Sequence, residues 1–528
     1  MRLNFQGLKD FQAWQKAGIA LPKNDIEATR KATSLNPRWV HFGGGNIFRG
    51  FIAALQQDLL DKGLTDTGII SADRDFDGII SKICRPFDCL TLLVTLRASG
   101  ETDKRVIASV ADSICWDSSI LEEWEKLRAV FVRPSLQMVS CTITEKGYAL
   151  RGIDGGLLPS VLEDMNAGPD APKNAMTVIA SLMLDRFRAG AFPVALVSMD
   201  NCSHNGEKFR ASVLEVANAW VERGFVDKEF YGWLGDESQV SFPWSMIDKI
   251  TPRPSGEVEA ELKALGVEEM SPIITKRGTY IAPFVNAEAP GYLVIEDKFP
   301  NGRPPLEKAG VYMTDRETVN KTERMKVTTC LNPLHTALAV YGCLLGYTKI
   351  ADEMDDPDLK KLVEVIGYKE GLPVVTDPGI IDPKKFIDEV VSERLPNKFL
   401  PDAPQRIATD TSQKVPVRFG ETLKSYAASP ALDASSLVAI PLAIAGWLRY
   451  LGGTDDNGGA MSVSSDPMLE TLQAGLKTPG GLKGILSNAN IFGVNLYDAG
   501  IGGKVEGLYA ELCAGNGAVR EVLRKYLA

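Results

Sequence analysis

The sequence predicts an α/β protein, with an N-terminal Rossmann-like parallel-sheet domain ahead of a mainly α-helical C-terminal domain. Three observations carry this. The first half alternates short apolar runs with amphipathic stretches, the pattern of parallel strands joined by crossover helices. The first clear strand runs into three glycines and then a helical pattern. Beyond residue 320 or so the periodicity is helical.

In chain order, WVHF (39–42) reads as a buried strand that ends in glycines. GIISA (68–72), MVSCTIT (138–144) and PVALVSM (193–199) read likewise. In FRASVLEVANAWVERG (209–224), Phe209, Val213, Val216, Ala217 and Trp220 recur at helical spacing. The segment 285–320 is rich in Pro and Gly and reads as the connection, giving domains at 1–300 and 301–528. Residues 334–347, 357–366, 384–394 and 436–451 show helical periodicity, and GGTDDNGGAM (452–461) reads as a turn-rich surface loop.

Composition narrows the functional classes. The chain has 528 residues, enough for two or more domains. A net charge of -10 argues against a nucleic-acid binder, so an anionic ligand must be held by local cations or helix N-termini. The eight cysteines are scattered singly with no CxxC pair, which points away from a zinc ribbon or a redox dithiol. The N-terminus is polar and lacks a signal-peptide core. The longest nearly apolar run, LVAIPLAIAGWL (437–448), is too short to span a bilayer and contains a proline. The expectation is a reduced, cytoplasmic, soluble protein, a monomer or small homo-oligomer with no membrane partner.

GGGNIFRGF (43–51) follows the first strand. Glycines let backbone approach phosphates, and a helix N-terminus supplies free N–H groups. Gly43, Gly44, Gly45, Asn46, Ile47 and Phe48 are therefore cofactor-loop candidates. The usual GxGxxG spacing fails, because its third glycine would fall on Phe48, and a plain strand-to-helix turn is the competing explanation. Asp73 ends the next strand, where an acid can bond the ribose hydroxyls of NAD or simply cap the strand end. Arg74 beside it could meet a 2′-phosphate, so NADP stays open.

MDNCSHNG (199–206) follows the strand PVALVSM and places Asp200 and Asn201 where open α/β sheets bind ligands. The alternative is a polar loop capping the next helix, with Asn205-Gly206 as a turn. KVTTCLNPLHTALAVYGCLLGY (326–347) places Lys326, Asn332 and His335 at the head of an apolar helix. A residue before proline avoids the helical region, so the helix is expected to start at Pro333 with Asn332 as its N-cap. Asn332 then either only caps the helix or presents its amide to a reacting oxygen. Lys326 is either a solvated surface lysine or a buried proton donor.

These segments together resemble the polyol-specific long-chain dehydrogenases, which include mannitol dehydrogenase, tagaturonate reductase and fructuronate reductase. The resemblance runs from about Arg38 to about Tyr450. It rests on FGGGNIFRG (42–50), TITEKGY (142–148), SMDN and HNG within 198–206, DKITP (248–252), LNPLHTALAVYG (331–342) and PNKFLPDAPQRIATDTSQKVPVRF (396–419). The last segment looks most like the fructuronate reductases. The resemblance implies a metal-independent, NAD(H)-dependent hydride transfer to the ketone of a sugar acid, D-fructuronate giving D-mannonate. Lys326 matches the proton-transfer lysine, Asn201 and Asn332 the oxyanion-binding asparagines, His335 the motif histidine and Asp248 the acid before ITP. Lys326 and Asn332 are six positions apart where the family has five. Either a one-residue bulge precedes the helix or another lysine serves. The family's histidine in the glycine turn is replaced here by Phe48.

A uronate also needs a cation for its carboxylate. QRIATDTSQKVPVR (405–418) offers Arg406, Lys414 and Arg418, of which Arg406 and Lys414 rank first. The alternative is a salt-bridged surface helix involving Asp402 and Asp410. A mannitol 2-dehydrogenase or tagaturonate reductase is the nearest functional alternative. A catalytically inactive nicotinamide-binding regulatory protein is the alternative of another class.

Overall fold

Six short strands build the main sheet of the N-terminal unit: β1 (Trp39–Phe42), β2 (Ile69–Asp73), β3 (Val110–Cys115), β4 (Met138–Cys141), β5 (Val194–Ser198) and β6 (Val240–Ser241). All are parallel, in the order β3-β2-β1-β4-β5-β6. This is the doubly wound order, whose direction of winding reverses between β1 and β4. In this computed structural model all residues except Ile153 are described.

The strands are continuous apolar runs because both sheet faces are covered. Every residue of β1, β4 and β5 is buried. Alternate side chains enter opposite cores. Val40, Phe42, Val139, Cys141, Val194 and Leu196 face one cluster, while Trp39, Met138, Ala195 and Val197 face the other. Helix α1 (Ala53–Asp61) contributes Leu55 and Leu59 to the second cluster. Helix α2 (Asn205–Glu222) contributes Phe209, Val213, Val216 and Trp220 to the first, on the face its helical spacing predicts.

The Pro- and Gly-rich stretch 285–320 also holds strands of the N-terminal unit. Phe284–Glu288 joins a four-stranded mixed sheet with Ile19–Ala20, Thr91–Leu96 and Thr102–Ile107. Tyr292–Glu296 pairs with Ser245–Asp248 on one side and Tyr312–Thr314 on the other. Its prolines punctuate turns between strands, and the apolar run YLVIE supplies a buried strand. The chain divides into Met1–Leu96 with Glu101–Asn320, and Arg97–Gly100 with Lys321–Ala528.

The second unit is helical. Its centre holds α3 (Asn332–Leu344) and α4 (Ala439–Tyr450), both buried along almost their whole length. Gly446 makes room for the Tyr341 ring, and Tyr341 Oη donates to the Leu442 carbonyl at 2.8 Å. The Glu370 carboxylate accepts from the amides of Val438, Ala439 and Ile440 at 2.6, 2.7 and 2.7 Å. A buried helix N-terminus is thereby satisfied. The apolar run 437–448 is thus a core helix. Among the described residues no helix is long and apolar enough to cross a membrane.

Candidate active site

The glycine turn sits at the carboxyl end of β1, beside the point where the strand order reverses. Gly43 has φ +109°, and a Cβ there would lie 2.4 Å from the Thr142 carbonyl oxygen. No other residue fits that position. Gly44 is backed by Ile79, and its amide donates to Asp73 Oδ2 at 2.7 Å. A Cβ on Gly45 would meet nothing within 4 Å, so this is the open side of the turn. A helical segment starts at Asn46 and passes through a π-helical turn, Phe48–Ile52, into α1. Its first N–H groups have no intrahelical acceptors. This donor set suits the diphosphate of a dinucleotide. Asn46 is tied on both sides, with Nδ2 donating to the Pro252 carbonyl and Oδ1 accepting from Arg49. Ile47 is partly buried. Phe48 is fully enclosed and stacks on His41 with ring centres 4.2 Å apart. His41 itself bonds Ser140 and Thr142, and burial lowers its pKa to about 3, so it is neutral.

The acids around this turn hold backbone. Asp73 accepts from Gly44 N and from Asp75 N, and burial raises its pKa against the pull of those two bonds. Arg74 lies over the Trp116 ring, 5.4 Å from its centre. Asp200 accepts from Ile143 N and Thr144 N at 2.9 Å each and from Tyr148 Oη at 2.7 Å. It joins the loop after β5 to the loop after β4, so TITEKGY and SMDN form one assembly. Asn201, next to it, is exposed. Asp248 ends its strand and is 7% exposed.

In the second unit, Lys326 opens a π-helical turn, Lys326–Cys330, closed by Leu331 N donating to the Lys326 carbonyl. A π-helical turn carries one residue more than an α-helical one, the same length change as a one-residue bulge. Lys326 is 1% exposed. Asn332 is not the N-cap. The helix begins with Asn332 itself after Leu331 (φ -130°, ψ -61°), and no side chain caps this end. Leu331, with its non-helical dihedrals, separates the π turn from this helix. The carboxamide is therefore not committed to a capping bond.

His335 Nε2 lies 2.9 Å from Asp402 Oδ2, though without the alignment of a well-formed hydrogen bond. Asp402 Oδ1 is also 2.5 Å from Arg406, whose side chain is 67% exposed. Burial alone would raise the Asp402 pKa, but the imidazole and guanidinium outweigh it and the carboxyl sits below its ordinary value. Lys414 donates to the Ile407 and Thr409 carbonyls; burial, with Arg418 adding to it, lowers its pKa to about 8. Arg418 donates to Thr336 Oγ1 on the first turns of α3.

Two domain families match this chain. The Mannitol dehydrogenase Rossmann domain covers residues 37–308, and the Mannitol dehydrogenase C-terminal domain covers 318–513. The chain belongs to the mannitol dehydrogenase family. Within this family it is 52% identical to the D-mannonate oxidoreductase of Thermotoga maritima, over 99% of each chain. It is 31% identical to the polyol:NADP oxidoreductase of Gluconobacter oxydans, over 85% of this chain and 86% of that one. Its fold matches mannitol 2-dehydrogenase of Pseudomonas fluorescens, solved as a ternary complex with NAD and D-mannitol. That match has a TM-score of 0.73 and 27% identity, over 100% of this chain and 99% of the other. As a member of the mannitol dehydrogenase family, the protein is an oxidoreductase.

Three residues important to this family member's local architecture escaped the sequence reading. Gly50, not position 48, is the close-packing glycine of the turn, since a Cβ there would lie 2.6 Å from Val285. The FRGF context was the available signal. Asn205 does not form a surface turn. It is 1% exposed, starts α2, and bonds Asp200 O, Ser245 O and Ser245 N, each at 3.0 Å. Glu353 is fully buried, with neither carboxyl oxygen hydrogen-bonded, in a notch left by Gly342 of α3. Burial first, and Asp402 second, raise its pKa to about 9. Nothing in the sequence IADEMDD distinguishes this acid from its exposed neighbours.

Proposed function

We propose that the protein reduces the ketone of a hexuronate, D-fructuronate to D-mannonate, with NADH. The observation that carries this reading is end-to-end 52% identity to a protein named D-mannonate oxidoreductase. NAD as cofactor is supported by the solved relative that holds it and by the open glycine turn. Bound NADH supplies the hydride. Gly43, Gly44 and Gly45 let the backbone approach its diphosphate, with Asn46, Ile47 and Phe48 contributing main-chain N–H groups. Asp73 and Asp200 serve the cofactor by holding the loops that shape this end of the sheet.

In this reading Lys326 donates the proton to the product alkoxide and, in the reverse direction, accepts it as the neutral amine. Asn332 polarises the carbonyl from the positive end of α3, and Asn201 supplies a second amide. His335, oriented by Asp402, positions a substrate hydroxyl. Asp248 contributes a further acceptor to the sugar hydroxyls, and the cations of 406–418 serve the carboxylate. A steady-state panel with D-fructuronate, D-tagaturonate and D-fructose, each with NADH and NADPH, tests the assignment. Highest kcat/KM is expected for D-fructuronate with NADH. Preference for fructose would turn the reading to a mannitol 2-dehydrogenase, and no oxidation with any ketone would end the enzymatic reading.

A further inference from the structure

Arg418 is a half-buried cation without a counter-charge among the described residues. Its one partner among the described residues is Thr336 Oγ1, a neutral oxygen. The Thr336 hydroxyl hydrogen is already given to the Asn332 carbonyl at 2.8 Å, so the oxygen's lone pair faces the guanidinium. No acid acts on Arg418, and burial alone lowers its pKa to about 10. Lys414, close enough to feel Arg418, donates to the carbonyls of Ile407 and Thr409, and the pull of Asp410 and Asp466 does not offset its burial. Elsewhere in the same unit another half-buried arginine is neutralised. Arg520 is 2.6 Å from Asp356 and 2.9 Å from Asp358. Arg406 is also matched, to Asp402, and points its charge into solvent. Among the described residues neither cation forms an ion pair, and partly buried cations without one are costly unless an anion completes them.

Their position fits a particular anion. Thr336 lies four residues after Asn332 on α3, about 6 Å further along the helix axis, and Arg418 is tethered there. In a 5-keto hexonate, four carbon–carbon bonds separate the carboxyl carbon from the ketone, a span of the same order. Arginine's fork of donors suits a carboxylate, and only part of it is used by Thr336.

We propose that Arg418, tethered by Thr336 and backed by Lys414, receives the carboxylate of the substrate and selects a sugar acid over a neutral keto sugar. This rests on the hexuronate reading above. The test compares KM and kcat for D-fructuronate and D-fructose in wild type, Arg418→Gln, Arg418→Lys and Arg406→Gln, with NADH binding by fluorescence as the check on folding. Arg418→Gln should raise KM for fructuronate about tenfold or more, as expected for a lost charged hydrogen bond. Its KM for fructose should change by less than about twofold by the same reasoning. Arg418→Lys should recover part of the fructuronate affinity, because charge returns without the fork. An unchanged fructuronate KM in Arg418→Gln, equal losses on both substrates, or a selective loss in Arg406→Gln instead, would overturn the assignment alone. Wild-type protein that reduces fructose but no keto acid would overturn the assignment together with the hexuronate reading.

Discussion

Replacing Glu353 by Gln should make the protein more stable, and increasingly so as pH rises. Glu353 is fully buried with neither oxygen hydrogen-bonded, and its pKa is raised from 4.5 to about 9. In the unfolded chain this carboxyl ionises above 4.5, whereas in the folded protein it keeps its proton until about pH 9. The unfolded state therefore binds fewer protons between these values, and stability falls as pH rises through that window. The loss is about 1.4 kcal/mol per pH unit, or roughly 3 kcal/mol by pH 7. Glutamine does not titrate. Its buried amide costs about 1–3 kcal/mol for unmade hydrogen bonds, a cost that does not change with pH. The diagnostic is thus the slope. The stability difference between Glu353→Gln and wild type should grow by about 1.4 kcal/mol per pH unit from pH 5.5 to 8.5. Urea unfolding followed by tryptophan fluorescence at pH 5.5, 7.0 and 8.5 measures it. Parallel pH dependences of the two proteins would refute the reasoning, since Glu353 would then be ionised in the native state.

Lys326→Ala should lower kcat for fructuronate by roughly 10²–10⁴-fold while NADH affinity, measured by fluorescence titration, stays near wild type; near-wild-type kcat would remove the lysine from the mechanism. The kcat/KM for fructuronate should fall above about pH 8, because the Lys414 amine loses its charge there in the company of Arg418, Arg406, Asp410 and Asp466. Lys414→Met should flatten that limb of the pH profile. Gly43→Ala forces a side chain to φ +109° against the Thr142 carbonyl, a strain of about 1–3 kcal/mol. It should weaken NADH binding and lower Tm together, and loss of neither would show that the turn can relax.

The strands of the main sheet were legible because each is a short apolar run closed by turn residues, and α2 because its apolar positions keep helical spacing. The glycine turn was legible as a strand-to-helix junction. Its third glycine was not, because a π-helical turn moves the close contact from position 48 to Gly50. Local rules misled where tertiary packing decides. Prolines marked 285–320 as a connection and hid the strand YLVIE, which is paired and buried within it. Asn205-Gly206 has turn composition, yet the Asn205 amide is spent on three backbone or hydroxyl partners inside the fold. Proline placed the start of α3 one residue late. Among the three cations of 406–418, the Asp402–Arg406 spacing already allowed a helical salt bridge, which the structure contains. That Arg418 turns inward to Thr336 depends on a contact across 82 positions, which spacing within one segment cannot reveal.

The wide turn at Lys326–Cys330 has a consequence for how chain length can vary in this region. In a regular α-helix, each added residue rotates the preceding part of the helix by about 100° relative to the part beyond the insertion. A single insertion ahead of Asn332 would therefore swing the lysine onto a different side of the axis. Here a π-helical turn takes up one residue as girth. Removing one of residues 327–330 should let the turn tighten into an ordinary coil of the helix, so this is a place where the chain can lose a residue without breaking the helical path.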